Sequence, residues 1–170
     1  LITLLDENDE PCMMMLLQIV INVYFVKFNK QTAFLLTIPT SSNDFTIEGE
    51  CNDSNSSLIL VSWDNTNLTW HFQQEPFENI TWSLAKLELS VANSEWFEKY
   101  HFCEQPCDAF SLISSNNDVS WTYNSDSSCE MKYIPLHHKE TSLRGSVFLI
   151  NGFHVEPFMK NDSDFNINTC

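Results

Sequence analysis

Apolar and polar residues alternate with a period of two along much of the chain. From Gln18 onward, Gln18, Val20, Asn22 and Tyr24 alternate with Ile19, Ile21, Val23 and Phe25. That spacing predicts a strand whose second set faces the core. The apolar run "MMMLLQIVINVYFVKF", residues 13–28, therefore reads as one long strand region. It is short of the ~20 apolar residues a membrane-spanning helix needs, and it contains Gln18 and Asn22. "KQTAFLLTIP" predicts a second strand stopping at Pro39, and "FTIEGEC" a third ending at Cys51. "LILVSW" and "LTWHF" flank "DNTN", which makes them the clearest hairpin. In "ITWSLAKLELSV", Ala85, Leu87, Leu89 and Val91 line one side, with Trp82 and Leu84 on the other.

The pattern weakens over residues 93–128, an atypical segment. There "SEWFEKYHF" fits a short helix or an irregular excursion, and a loop with one strand follows. "CEMKYIPL" predicts a strand ending near Pro135. "SVFLINGFHVEPF" predicts a last strand pair, or one strand bent near Gly152. Residues 1–11, "LITLLDENDEP", read as an acidic lead-in. Short strands, few glycines and little helical periodicity predict an all-β fold in a single domain over residues 1–170.

Charge narrows the function. The net charge is −15, the pI is near 4.4, and only eight Lys and Arg are present. Nucleic-acid binders need clustered cations, as does charge-driven docking on anionic lipid. An acidic, solvated surface is the expected consequence.

The cysteines are Cys12, Cys51, Cys103, Cys107, Cys129 and Cys170. Six cysteines allow 15 complete pairings, so the count leaves connectivity open. The interval from Cys12 to Cys51 nearly equals that from Cys129 to Cys170, and each begins with an apolar strand. Two disulfide-closed halves would explain this. Asn-x-Ser/Thr glycosylation sequons occur at Asn52, Asn55, Asn67, Asn79 and Asn161. Together with an even cysteine count they point to a secretory or luminal protein carrying glycans.

Catalytic motifs are absent: no Gly-rich phosphate loop, HExxH or GxSxG occurs, and no spacing singles out a Ser-His-Asp triad. No enzyme activity and no cofactor is expected. His101, Cys103 and Cys107, with His137 or His138, could in principle ligate a metal, but an oxidising lumen favours a disulfide. No metal site is therefore expected. The five histidines would respond to an acidic lumen by gaining charge. Trp63, Trp70, Trp82 and Trp121 are assigned to packing. Trp96, Phe97, Tyr100 and Phe102 form an aromatic cluster beside the Cys103/Cys107 pair, either folded back on the sheet or facing a partner.

Several stretches carry a family resemblance: "CMMMLLQIVINVYF", "LTWHFQQ" followed by "ITWSLAKLELSV", "CEMKYIPL", and the closing "FHVEPFMKNDSDFNINTC". Together they resemble the luminal domain of the lysosome-associated membrane protein (LAMP) family, and most closely its short neuronal (brain and dendritic cell-associated) branch. The resemblance implies a LAMP-like β-prism of bent antiparallel sheets, stapled by Cys12–Cys51 and Cys129–Cys170. Cys103 and Cys107 depart from the family's four-cysteine pattern, and their simplest pairing is with each other. The family implies a transmembrane helix after residue 170 and a short cytosolic sorting tail. It also implies an endosomal, lysosomal or synaptic-vesicle membrane location, with this domain on the luminal side. The expected function is binding and sorting of a membrane-protein cargo in cis. The alternatives are a membrane-protecting lysosomal glycoprotein, an accessory subunit of the vacuolar proton pump, or a lipid or sterol binder.

Overall fold

The computed structural model describes residues 2–16, 19–27, 30–39, 41, 43–52, 56–74, 81–92, 109–114, 120–122, 132–139, 143–149 and 154–156. Every regular element among them is a strand: β1 (Ile2–Leu5), β2 (Pro11–Leu16), β3 (Ile19–Lys27), β4 (Lys30–Leu36), β5 (Thr46–Asn52), β6 (Ser56–Trp63), β7 (Thr66–Gln74), β8 (Thr81–Val91), β9 (Phe110–Ile113), β10 (Ser120–Thr122), β11 (Lys132–His137), β12 (Arg144–Leu149) and β13 (His154–Glu156). They form two curled antiparallel sheets. The smaller has the order β1-β2-β13; the larger runs β4-β3-β12-β11-β9-β8-β7-β6-β5, with β10 pairing β8.

The apolar run expected to be one strand is two. Residues 11–16 belong to the small sheet and residues 19–27 to the large one. The last strand pair divides in the same way, β12 in the large sheet and β13 in the small. β2 pairs β13 up to Leu16↔His154, and β3 pairs β12 from Ile19↔Leu149. Each of the two segments thus contributes one strand to each sheet, and the strands pair with each other in both. Ile21 and Val23 are fully buried, as the alternation predicts.

The acidic lead-in is half of a hairpin. Ile2–Leu5 pairs β2 from Ile2↔Met15 to Leu5↔Pro11. Its turn closes on Asp6, whose Oδ1 accepts the backbone N–H groups of Asn8 (2.8 Å) and Glu10 (3.0 Å). Asp9 takes the left-handed conformation at φ 62°. Alternation, with Ile2 buried beneath an otherwise polar segment, satisfies the hairpin despite the charge.

The β6–β7 hairpin forms as expected. Asp64 (φ 39°) and Asn65 (φ 60°) make its two-residue turn, with Trp63 opposite Thr66. Positive φ at both positions gives the primed turn whose twist matches paired strands. Across β5 to β9 the inward residues form cross-strand rows. One is Ile47–Val61–Leu68–Leu89–Leu112; the next is Gly49–Ile59–Trp70–Leu87. Trp70 and Phe72 lie on this face with ring centroids 6.3 Å apart. At ~25 cal/mol per Å² of apolar area, such rows dominate the stability of the sheet.

Two expectations fail locally. Ala85 does not share the inward side with Leu87. The β7–β8 register shifts so that His71 opposes Lys86 and Phe72 opposes Leu84. Ala85 is the extra residue of a β-bulge, which returns Leu84 to the core face. The strand expected to end near Pro135 continues to His137. Among the described residues β9 meets β11 only at His137, so a missing N–H at Pro135 breaks no ladder bond on that side.

Candidate functional site

Cys12 on β2 and Cys51 on β5 are joined by a disulfide with Cα atoms 6.0 Å apart. It ties the small sheet to the edge of the large one. Beside it Leu4 packs over Gly49. A Cβ at Gly49 would collide with Leu4 Cδ1 and stand 2.7 Å from the Leu58 carbonyl oxygen. Glycine is therefore required where β1 leans on β5.

The outward face of β5 to β9 is polar. One row, Thr46–Ser62–Asn67–Ser90–Ser111, consists of small polar residues across five strands. Asn67 lies at its centre, exposed, two positions past the hairpin turn. Its sequon threonine, Thr69, points to the same side. The next rows carry Glu48, Leu60, Thr69 and Glu88, then Glu50, Leu58, His71 and Lys86.

Glu88 organises the face. Its Oε1 accepts the Ser111 hydroxyl at 2.7 Å, and its Oε2 pairs with the Lys86 ammonium. The Ser90 hydroxyl donates to Ser111 Oγ at 3.3 Å. Burial pushes the Glu88 carboxyl up, but Lys86 and Ser111 together outweigh it and hold the group below its ordinary range. Burial lowers the His71 imidazole, and the Lys86 charge lowers it further against the opposing pull of Glu88. Where β9 ends, the Ser114 hydroxyl accepts the Leu87 N–H at 2.8 Å.

Ser57 is a different case. It lies inward, in the core row between Cys51 and Phe72, 4% exposed, and among the described residues its hydroxyl has no hydrogen-bond partner. An unpartnered buried hydroxyl costs about 1–3 kcal/mol. Packing alone would favour Ala here. Ser57 is also the third residue of the Asn55 sequon, which is read on the extended chain before folding.

Of the expected site residues, the structure joins Cys12 to Cys51 and exposes Asn67. It places Asn52 at the end of β5. Cys103, Cys107, Cys129, Cys170, Asn55, Asn79, Asn161 and the cluster Trp96, Phe97, Tyr100 and Phe102 lie outside the described residues, as does His101. Among the described residues no three His, Cys, Asp or Glu side chains come together as a metal site. Lys86 and Glu88 were not among the site residues expected from the sequence. Ser90 and Ser111 reach them through β8–β9 pairing, and the local pattern carries no signal for that.

This architecture, two curled antiparallel sheets clipped by a disulfide, defines an all-β domain class. Its fold is that of the LAMP luminal domain. The membrane-proximal domain of mouse LAMP-1 superposes with a TM-score of 0.61 at 16% identity, covering 96% of this chain and 90% of that one. Human LAMP-3 (DC-LAMP) superposes at 0.57 and 11% identity, covering 95% and 91%. No family model matches the chain, and no curated protein matches its sequence.

Proposed function

We propose that this chain is the non-enzymatic luminal domain of a single-pass endolysosomal membrane glycoprotein that binds and sorts a membrane-protein partner. The observation carrying the reading is that the LAMP fold extends over 95% of the chain at a TM-score of 0.57. Supporting it, Asn67 is an exposed sequon centred on a polar face whose small neighbours leave room for a glycan. Five sequons and a disulfide clip suit an oxidising, hydrolase-rich lumen. The trafficking signals belong to the cytosolic tail, and the luminal domain supplies recognition of the cargo. Proximity labelling from the luminal side of the full-length protein tests this. Enrichment of a multi-span transporter in endolysosomal or synaptic-vesicle membranes is expected. Recovery of proton-pump subunits with no transporter would overturn the sorting role.

A further inference from the structure

Ser57 stands where a hydroxyl does least for the folded domain. It is directly opposite Cys51 across β5–β6 and opposite Phe72 across β6–β7. Alternation puts it on the same side as Ile59, which is fully buried. Ser57 is buried too, and among the described residues its hydroxyl finds no partner. Such a group destabilises a fold, whereas alanine would fill the position without that cost. The hydroxyl has a use before folding. It belongs to the sequon Asn55-Ser56-Ser57, and a glycan transferase reads it on the open chain. Asn55 lies outside the described residues; the constraint comes from Ser57.

The same row holds half of the disulfide clip. Cys51 packs against the core and is bonded to Cys12. Directly opposed residues on one face of an antiparallel pair have Cβ atoms ~5 Å apart. Closing the clip at Cys51 and shutting Ser57 into the core are therefore coupled. Once β6 lies between β5 and β7, a transferase cannot reach the Ser57 hydroxyl. Both thiols precede Asn55 in the chain, so they enter the lumen first, and folding during synthesis proceeds from the N-terminal side. Asn67 differs. It is exposed, its sequon threonine Thr69 shares the outward side, and neither lies in the row that holds Cys51.

We infer that Asn55 is a folding-timed glycosylation site, modified only while the Cys12–Cys51 clip is open, an assignment that rests on the luminal location proposed above. Two covalent steps compete. In one, the Asn55 amide nitrogen bonds to the anomeric carbon of a lipid-pyrophosphate-linked oligosaccharide. The bond from that carbon to the pyrophosphate oxygen breaks, and the amide loses a proton. In the other, the Cys12 and Cys51 thiols give up two protons and two electrons to the disulfide of a luminal oxidoreductase, which becomes a dithiol. Glycan transfer first leaves sugar on Asn55, and Ser57, itself unmodified, then folds inward. Closure first leaves Asn55 bare.

The test is an isotope pulse of the full-length protein in cells, with glycan occupancy at Asn55 and Asn67 read by peptide mass spectrometry. Wild type is compared with the double variant Cys12→Ala, Cys51→Ala, and with wild type pulsed in dithiothreitol. Newly made chains are read, so a variant that later fails to fold still reports. In the wild type Asn55 should be partly occupied, below Asn67. Opening the clip either way should raise Asn55 to match Asn67 and leave Asn67 unchanged. Full occupancy of Asn55 in the wild type overturns the inference, as does an occupancy that the double variant leaves unmoved, whether or not dithiothreitol raises it. A bare Asn67 overturns the luminal reading as well, whereas a glycosylated Asn67 beside an unresponsive Asn55 overturns the timing alone.

Discussion

Replacing both cysteines of the sheet-to-sheet clip, Cys12→Ala with Cys51→Ala, tests how the two sheets are held. The disulfide closes a loop of 39 residues. Loop-closure entropy at that length contributes about 4 kcal/mol through the unfolded chain. That is a large share of the ~5–15 kcal/mol by which domains are stable. Among the described residues, β1 meets β5 through contacts such as Leu4 on Gly49, which cannot replace a covalent tie. With a urea slope near ~2 kcal/mol/M, the unfolding midpoint should fall by about 2 M. The double variant avoids an unpaired thiol, and Ala avoids adding a hydroxyl at two half-buried positions. Urea titration followed by Trp fluorescence measures the midpoint, with the other cysteines untouched. Hydrogen exchange should also show β1 and β2 losing protection before β6–β8. A midpoint shift under about 0.3 M, with unchanged slope, would refute the loop-closure reasoning.

Four further outcomes are expected. Gly145→Ala places a Cβ 2.7 Å from Leu112 Cδ1, a fully buried side chain, and should cost about 1–3 kcal/mol. Differential scanning fluorimetry should therefore show a clear drop in Tm, and an unchanged Tm would contradict the packing. Ser57→Ala should abolish glycosylation at Asn55 while raising stability by about 1 kcal/mol; intact-mass analysis and urea titration read the two effects, and a destabilised variant would show that the hydroxyl has a structural partner. Asn67→Gln should remove one glycan and leave the midpoint unchanged, since the side chain is exposed; a large loss of stability would put Asn67 in the fold rather than on its surface. Acidification should destabilise the domain in two stages. His71 has a lowered folded value, so the unfolded state binds more protons and stability falls as pH drops through about 6.5 and on to that lowered value. Glu88 is also lowered, so its contribution is present above about 4.5 and is lost as pH falls through its folded value. His71→Gln should flatten the first stage and Glu88→Gln the second, and stability profiles parallel to wild type would remove both groups from the account.

Strand existence was legible wherever one face was clearly apolar. "LTWHF" shows Leu68, Trp70 and Phe72 separated by polar residues, and all three are buried. The bulge at Ala85 was not legible, because Ala85, Leu87, Leu89 and Val91 continue an unbroken period of two. Only the partner strand reveals that Leu84 takes the inward place. Residues 13–28 failed for a related reason: an apolar run is equally compatible with one strand or two, and the assignment of β2 and β3 to different sheets depends on pairing with β13 and β12, more than a hundred residues away. The Cys12–Cys51 bond came from family resemblance, with spacing as a hint, since six cysteines leave 15 pairings open. The Glu88 network needed β8–β9 register, and the run of four neighbouring strands without a carboxylate needed strand order. Both are non-local, and composition averaged them into a uniformly acidic chain.

Identities of 11% and 16% with two LAMP domains are enough for the fold because the inward rows ask only for apolar volume at alternate positions. Ile47–Val61–Leu68–Leu89–Leu112 would pack as well with other aliphatic residues of similar size. The outward rows carry no such constraint, since an exposed Thr46 or Asn67 can change without touching the core. What fold similarity transmits is therefore the scaffold and its clip, while partner choice resides in positions free to diverge. On this chain those positions are not random. The β5–β9 face carries an exposed sequon amid Ser and Thr, and the β4-β3-β12-β11 strands carry exposed Leu35 and Tyr133 with no carboxylate and no sequon. A glycan on Asn67 would extend over the first face and hinder a protein from packing there. If the chain binds a protein partner as proposed, substitutions that alter that binding should cluster at exposed Leu35 and Tyr133 rather than around Asn67.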